Sequence, residues 1–356
     1  MKEQKFKTHF LFNPSALHPT PYTLMNLMLL TGNWKKIRVR NLCFFRECKR
    51  EKWLPHLNPL PLEGERARVR RRVIRKEDGM NKEYLAKLFG LEDKVAVVTG
   101  GGGVLCGCMC RALAQAGSQV VVLDLLELAA KKVAEEITAS GGLAFPYQAD
   151  ALDKGSLDKV CTKVLEKFGR VDILINGAGG NKAQATTSPD LSFFDLPQDA
   201  FQWVFNLNFT CTLLASQVFG KTMARQGEGV ILNISSMNYF RPLTRVPAYS
   251  AAKAAVSNFT QWLAVHLSQN YSPKIRVNAL APGFFLTEQN RFLLTDKETG
   301  GLTPRGKSII DHTPMHRFGA PEDLIGAVLW LLSPAGEFVH GAVIAIDGGF
   351  SAFSGV

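Results

Sequence analysis

Between Val95 and Gly349, seven short runs rich in Val, Ile and Leu recur, each separated from the next by a longer stretch. The runs are Val95–Gly100, Gln119–Asp124, Leu143–Asp150, Val171–Gly179, Gly229–Ser236, Ile275–Gly283 and Ala342–Gly349. Helical spacing fills several of the intervals, at Ala129–Ser140, Leu157–Phe168 and Ala248–Leu267. A strand with one wet face alternates apolar and polar residues; a strand apolar throughout is covered on both faces, as in parallel sheets. Parallel strands joined through helices need right-handed crossovers, which put helices on both sides. The pattern predicts an α/β fold with a doubly wound, seven-stranded, mostly parallel sheet flanked by helices on both faces. No second domain and no repeat of solenoid length interrupts it.

The segment before this pattern is different. The chain has 356 residues and a formal net charge of +11, which at first suggests a polyanionic partner. Residues 1–79 contain 18 Lys and Arg against 7 Asp and Glu, so they hold the entire excess, and residues 80–356 are neutral overall. Charge therefore gives no reason to expect a basic groove in the α/β part. Residues 1–79 show no sustained helical or strand period, and their apolar piece Tyr22–Leu30 is far short of a membrane span. It also lacks the position and cleavage site of a signal peptide. A disordered basic tail and a nucleic-acid or membrane-binding arm are two readings of it. The preferred reading is an extension that is not translated, with the true start at Met80. Met80 opens a natural lead-in to the first strand, and the RKEDG before it can be encoded by a purine-rich stretch like a bacterial ribosome-binding site. The expected organisation is residues 1–79 as this extension and 80–356 as the catalytic domain. No nucleic acid or membrane is expected as a partner.

In doubly wound sheets, ligands sit at the carboxyl ends of the strands, so the residues there are the candidates. After the first strand comes TGGGGVLC, Thr99–Cys106. Glycines let backbone amides approach a pyrophosphate, and the helix that follows favours negative charge at its start. Thr99, Gly100, Gly102, Gly103, Val104 and Leu105 are candidates for that contact. The second strand ends in Asp124, an acid suited to a ribose 2′-hydroxyl and repelling a 2′-phosphate; Leu125 and Leu126 follow, with no cation to welcome a phosphate. Asp150 and Ala151 after the third strand are candidates for the adenine edge. Asn176, Gly177, Ala178 and Gly179 after the fourth offer another close backbone approach.

The chemistry lies further along. Ser236 ends the fifth strand; Tyr249 and Lys253 follow in YSAAK. Residues four apart share a helix face. A free phenol titrates near ~10, too high for acid–base work at neutral pH, and a neighbouring ammonium favours phenolate. The serine hydroxyl would hold a carbonyl oxygen beside the phenol. A Tyr–Lys pair alone is common on protein surfaces.

Taken together, and in this order, the glycine turn, Asp124, Asp150, NGAG, Asn208, Ser236, Tyr249, Lys253, Pro282–Thr287 and Asp347–Gly349 resemble the short-chain dehydrogenase/reductase family, whose single domain is Rossmann-like. The resemblance covers residues 88–353. It implies NAD(H) as cofactor, Tyr249 as proton donor and acceptor, Lys253 as tuner of the phenol and ligand of the nicotinamide ribose, Ser236 orienting the carbonyl, and Asn208 holding a relay water. Pro282, Gly283 and Thr287 would border the nicotinamide. Two departures stand out. The family turn T-G-x-x-x-G-x-G has Val104 and Cys106 at its last two glycines, and its N-N-A-G has Gly177 in second place. The form TGGGGVLC is similar to a subgroup of D-mannonate oxidoreductases, which suggests a variant turn rather than a dead one.

A substrate carboxylate would suit Arg241 and Arg245 in the loop between Ser236 and Tyr249, since a guanidinium binds carboxylate with two parallel hydrogen bonds. Asn181, Asn238 and Gln289 are candidates for hydroxyl contacts, and Lys182 and His316 for the pocket wall. A long polar segment, about 284–318, reads as a substrate loop. The expected reaction is NAD(H)-dependent interconversion of a keto sugar acid and its alcohol, D-fructuronate and D-mannonate first. Alternatives are a gluconate 5-dehydrogenase type and a non-catalytic NAD sensor on the same fold. The seven cysteines, with no secretory signal, read as reduced thiols in a cytoplasmic protein. Cys106, Cys108 and Cys110 look like a metal motif but face different sides of a helix, so they read as packing residues and no metal is expected. The resemblance implies a homo-oligomer, a tetramer in many members.

Overall fold

The structure, a computed structural model, describes residues 81–287, 291–297 and 299–355. Residues 1–79, with the expected extension and with Cys43 and Cys48, and Gln289 lie outside them.

Seven strands form one sheet: β1 (Val95–Thr99), β2 (Gln119–Asp124), β3 (Leu143–Gln148), β4 (Ile173–Asn176), β5 (Gly229–Ile234), β6 (Ile275–Pro282) and β7 (Val343–Ile346). Their order is β3-β2-β1-β4-β5-β6-β7, and every pairing is parallel. The chain moves outward from β1 to β3, crosses back, and moves outward again from β4. The reversal lies between β1 and β4. The expected α/β class and strand count hold, and the sheet is parallel throughout.

Among the described residues the helices are α1 (Lys82–Phe89), α2 (Val104–Gln115), α3 (Glu127–Ala139), α4 (Lys154–Phe168), α5 (Gln198–Phe205), α6 (Cys211–Gln226), α7 (Pro247–Asn270), α8 (Arg291–Leu294), α9 (Pro304–Asp311) and α10 (Ile325–Leu332). Two apolar layers sandwich the sheet. One packs α2, α3 and α10 against residues such as Val98, Val122 and Leu280; the other packs α4, α6 and α7 against residues such as Val97, Val121 and Val277. Alternate residues of one strand thus enter opposite layers, which is why these strands are mostly apolar on both faces. Strand ends were read long in the sequence: β4 stops at Asn176, and the glycines that follow are loop.

The expected substrate loop is not structureless. It contains α8 and α9, and α9 starts from Thr303, whose hydroxyl accepts the Gly306 amide at 3.0 Å. No helix of the described residues is long and apolar enough to cross a membrane.

Candidate active site

The parallel sheet brings the carboxyl ends of β1, β2, β4, β5 and β6 to one edge, where nearly all of the residues singled out in the sequence gather. Thr99 ends β1. Its buried hydroxyl accepts the amides of Gly177 and Ala178 at 3.1 and 3.3 Å, tying the glycine turn to the loop after β4. Gly100 then turns the chain at φ +66°, and a Cβ there would stand 3.0 Å from the backbone of Ala178. Gly102 passes so close to α3 that a Cβ would meet Ala129 Cβ at 2.6 Å. These two positions need glycine for reasons internal to the protein. Gly103 precedes α2 with no side-chain cap, so the first amides of a twelve-residue helix stay available to an anion. Val104 is exposed and Leu105 half-buried at that helix start.

Cys106 is buried, and its place ties the departure at 106 to the one at 177. A Cβ on Gly177 would collide with the Cys106 sulfur. The cysteine occupies the volume that a side chain at position 177 would take, so loss of glycine at one position goes with gain of glycine at the other. Burial pushes the Cys106 thiol up to about 12, which keeps it a neutral packing group. Cys110 is buried against the core as well, and Cys108 lies 3.8 Å from Glu322. Among the described residues no group of three or more His, Cys, Asp or Glu could hold a metal ion.

Asp124 closes β2. Its Oδ2 accepts the Gly102 amide and its Oδ1 the Leu126 amide, both at 3.0 Å. The carboxylate is thereby fixed beside the glycine turn, with lone pairs left for a further donor. The next residues, Leu125, Leu126 and Leu128, are exposed, and Glu127 begins α3. Residues 125–128, just after Asp124, contain no Lys or Arg. Asp150 is exposed, with Oδ1 taken by the Leu152 amide at 2.8 Å, and Ala151 is half-buried next to it. The uncapped helix start, the crowded glycines and the fixed acid fit the pyrophosphate and adenosine ribose of a dinucleotide.

At β5 the two serines part company. Ser235 is structural, 2.6 Å from the Ser257 hydroxyl and donating to the Lys253 carbonyl. Ser236 is extended, accepts the Asn238 amide at 3.3 Å and hydrogen-bonds the Tyr249 phenol. Pro247 starts α7, its fixed φ suiting the first turn. One turn spacing then sets Tyr249 and Lys253 on the same face, with the ammonium 5.5 Å from the ring centroid. Lys253 is buried and donates to the Ile234 carbonyl at 2.8 Å.

The electrostatics differ from the sequence expectation. Burial holds the Tyr249 phenol above its ordinary value, and the Ser236 hydrogen bond only partly offsets that. Burial also brings the Lys253 ammonium down from 10.5 to about 8. In the protein alone the Lys253 ammonium faces the Ile234 carbonyl, and the hydroxyl beside the phenol is Ser236.

Asn208 sits in a single π-helical turn, Asn206–Thr210, between α5 and α6. Such wide turns cluster at functional sites. The fully buried amide accepts the Gly180 amide (3.2 Å) and donates to the Gly180 carbonyl (2.7 Å) and the Val204 carbonyl (2.8 Å). It latches the loop after Gly179, where a Cβ would meet Asn208 Oδ1 at 2.7 Å and Lys253 Nζ at 3.5 Å. Asn176 is buried and donates to Ser216 and Asn233. It supports the loop from beneath. Pro282 is buried at the end of β6; Gly283 packs on Asp347, where a Cβ would come within 2.6 Å; Thr287 is half-buried.

The residues expected to touch substrate divide. Arg245 lines a cavity of about 660 Å³ formed by the loop ahead of α7, by Phe284, by α9 and by Phe350. Arg241 is exposed and engaged elsewhere, its Nε donating to the Ser351 carbonyl at 3.1 Å. Asn238 is buried, and its Oδ1 has no hydrogen-bond partner. Asn181 is exposed and donates to the Thr186 hydroxyl. Lys182 stacks over Trp203, 4.8 Å from the ring centroid. His316 is exposed in a left-handed turn, and the histidine on the cavity wall is His312. Arg305 and Ser308, also on that wall, were not singled out in the sequence. The available signal was a basic residue right after Pro304 at a helix start, where the dipole favours acids.

A sequence model of the short chain dehydrogenase family matches residues 94–298. UxuB of Bacillus subtilis, an uncharacterised oxidoreductase, is 48% identical over 75% of this chain and 98% of its own length. The 2-dehydro-3-deoxy-D-gluconate 5-dehydrogenase of Escherichia coli is 35% identical over 74% of this chain and 98% of its own. A crystal structure from Haemophilus influenza with bound NAD, of a protein provisionally described as a D-mannonate oxidoreductase, is 47% identical and superimposes with a TM-score of 0.71, covering 76% of this chain and 100% of that one. The glycine turn, the fixed acid and the Ser236–Tyr249–Lys253 cluster thus lie in a chain that belongs to the short-chain dehydrogenase family of oxidoreductases.

Proposed function

We propose that this oxidoreductase uses NAD(H) to interconvert a keto sugar acid and its alcohol, with D-fructuronate and D-mannonate as the pair. Arg245 carries the acid part of this reading. It lines the cavity next to the loop joining Ser236 to Tyr249, and among the described residues it has no acidic partner. Fixed Asp124 supports NAD(H) over its phosphorylated form, as does the NAD bound by the Haemophilus relative.

Bound NADH supplies the hydride. Ser236 holds the carbonyl oxygen of the substrate by a hydrogen bond, and Tyr249 gives that oxygen its proton as the carbonyl carbon is reduced. In the reverse direction the phenolate takes the proton from the alcohol. The charged Lys253 favours phenolate once its ammonium is drawn to the nicotinamide ribose, and the Asn208 turn keeps the loop after Gly179 open for that contact. The protein works as a cytoplasmic homo-oligomer, a tetramer as in many members of the family.

The test is NADH consumption by the full chain with D-fructuronate, D-tagaturonate, 5-keto-gluconate and fructose, each repeated with NADPH. Preference for D-fructuronate with NADH supports the pair; 5-keto-gluconate in first place moves the assignment to the gluconate 5-dehydrogenase type. NADH binding without turnover of any of them would leave an NAD sensor.

A further inference from the structure

We infer that Arg305 of α9, rather than Arg241, is the second arm of a carboxylate clamp whose first arm is Arg245. The inference rests on the sugar-acid reading and names the residues that make it selective.

Two guanidinium groups from separate elements line one cavity. Arg245 comes from the loop that ends at α7, Arg305 from the first turn of α9. Neither has an ion-pair partner among the described residues. Other exposed cations do find acids: Arg317 takes Asp323 with both Nη atoms, Arg111 takes Glu136, and Lys307, two residues beyond Arg305, takes Asp311. Arg305 is also on the wrong end of its helix. The first turn carries the positive pole and favours acids, and α9 has none there. A cation at that end, unpaired and on a cavity wall, is satisfied by an anion that enters the cavity. The helix start and both guanidinium groups then act on the same charge.

Ser308 and His312 of the same segment offer a hydroxyl and an imidazole beside the two guanidinium groups, on a wall that is otherwise mainly apolar, with Leu243, Val246, Phe284 and Phe350. Arg241 is not among the residues lining this cavity, and its Nε donates to the Ser351 carbonyl. The clamp also links the segment carrying α9 to the loop between Ser236 and Tyr249. A substrate carboxylate would bridge the two, and a neutral polyol of the same length would not.

The test is calorimetric binding of D-mannonate and D-gluconate, against mannitol, to the full chain saturated with NAD. The wild type should bind at least one of the acids at least tenfold more tightly than mannitol. Arg305→Gln and Arg245→Gln should each weaken the acid at least about tenfold and leave mannitol within twofold. Arg241→Gln should leave the acid within twofold. Unchanged acid binding in Arg305→Gln would overturn the clamp, as would a loss carried by Arg241→Gln instead, or no acid preference in the wild type. Turnover separates the two readings: acid binding through Arg305 with no keto acid reduced sinks the proposed reaction and keeps the clamp. Reduction of a keto acid unaffected by Arg305→Gln does the reverse.

Discussion

A sulfur at residue 106 and a side chain at residue 177 compete for one volume behind the glycine turn. Gly177→Asn alone is therefore expected to lower both the melting temperature and NADH affinity. Cys106→Gly alone empties the space and adds a helical glycine, at a cost of about 1 kcal/mol. Together they should recover most of the loss, with a coupling of roughly 0.5–3 kcal/mol in a double-mutant cycle of chemical denaturation; simple additivity would refute the exchange. Both departures were visible in the sequence. Their dependence on one another was not, because it exists only once β1 and β4 are neighbours. Tyr249 stood out only together with the glycine turn, Asn208, Ser236 and Lys253, since a Tyr–Lys pair alone is common; Tyr249→Phe should cut kcat by about 10²- to 10⁴-fold with the NADH dissociation constant unchanged within twofold. Lys253 was legible as a position but not in its electrostatics, which depend on burial. Its charge is disfavoured in the fold, with a value of about 8 against 10.5 when free. Below pH 8 the full penalty applies, and it is released as pH rises from 8 to 10.5, since there the unfolded chain holds the proton and the folded one does not. The cofactor-free protein should thus gain stability relative to Lys253→Met between pH 7 and 10, by on the order of 3 kcal/mol at most. Tyr249, shifted upward, works in the opposite sense only above its ordinary value near 10. A pH-independent difference in denaturation free energy between the two proteins would contradict this.

At the scale of elements, strands were easier to find than the turns that matter. Continuous Val and Ile runs mark β1, β2 and β5 because each strand feeds two apolar layers. The π turn around Asn208 leaves no such mark: NLNFT reads as ordinary helix, and the widening follows from the loop it must latch. The end of β2 is where coenzyme choice is expected to be set. Asp124 is held there by two backbone amides, and three exposed leucines with Glu127 leave nothing to neutralise a 2′-phosphate. Wild type should prefer NADH over NADPH by at least about a hundredfold in kcat/KM, as an uncompensated phosphate beside a fixed carboxylate loses more than one charge-assisted contact. Asp124→Ser with Leu125→Arg should narrow or reverse the ratio, mostly through KM for the coenzyme. A ratio unmoved by the pair would mean that the discrimination lies elsewhere.

For the molecule as a whole, the charge map sets a working boundary. Residues 80–356 are electrically neutral, and among the described residues they hold the seven strands, both apolar layers and the site. The relatives match over three-quarters of this chain while being covered almost end to end. The described part begins with a capped helix, α1, whose Asn81 side chain accepts the amides of Glu83 and Tyr84. Leu91 just after it is buried, its amide donating to the Ala116 carbonyl at 2.9 Å. A chain starting at Met80 keeps that cap and that anchor. It should match the full chain in melting temperature within about 2 °C and in kcat/KM within twofold, because a loss of 1 kcal/mol would itself move the midpoint by about 2–4 °C at this size. Starting instead at Glu92 would remove the anchor and should cost a measurable part of the stability. Intact-mass analysis of protein made from the native gene tells which start the cell uses. A mass beginning at Met80 supports the start read from the sequence, and a mass beginning at Met1 overturns it.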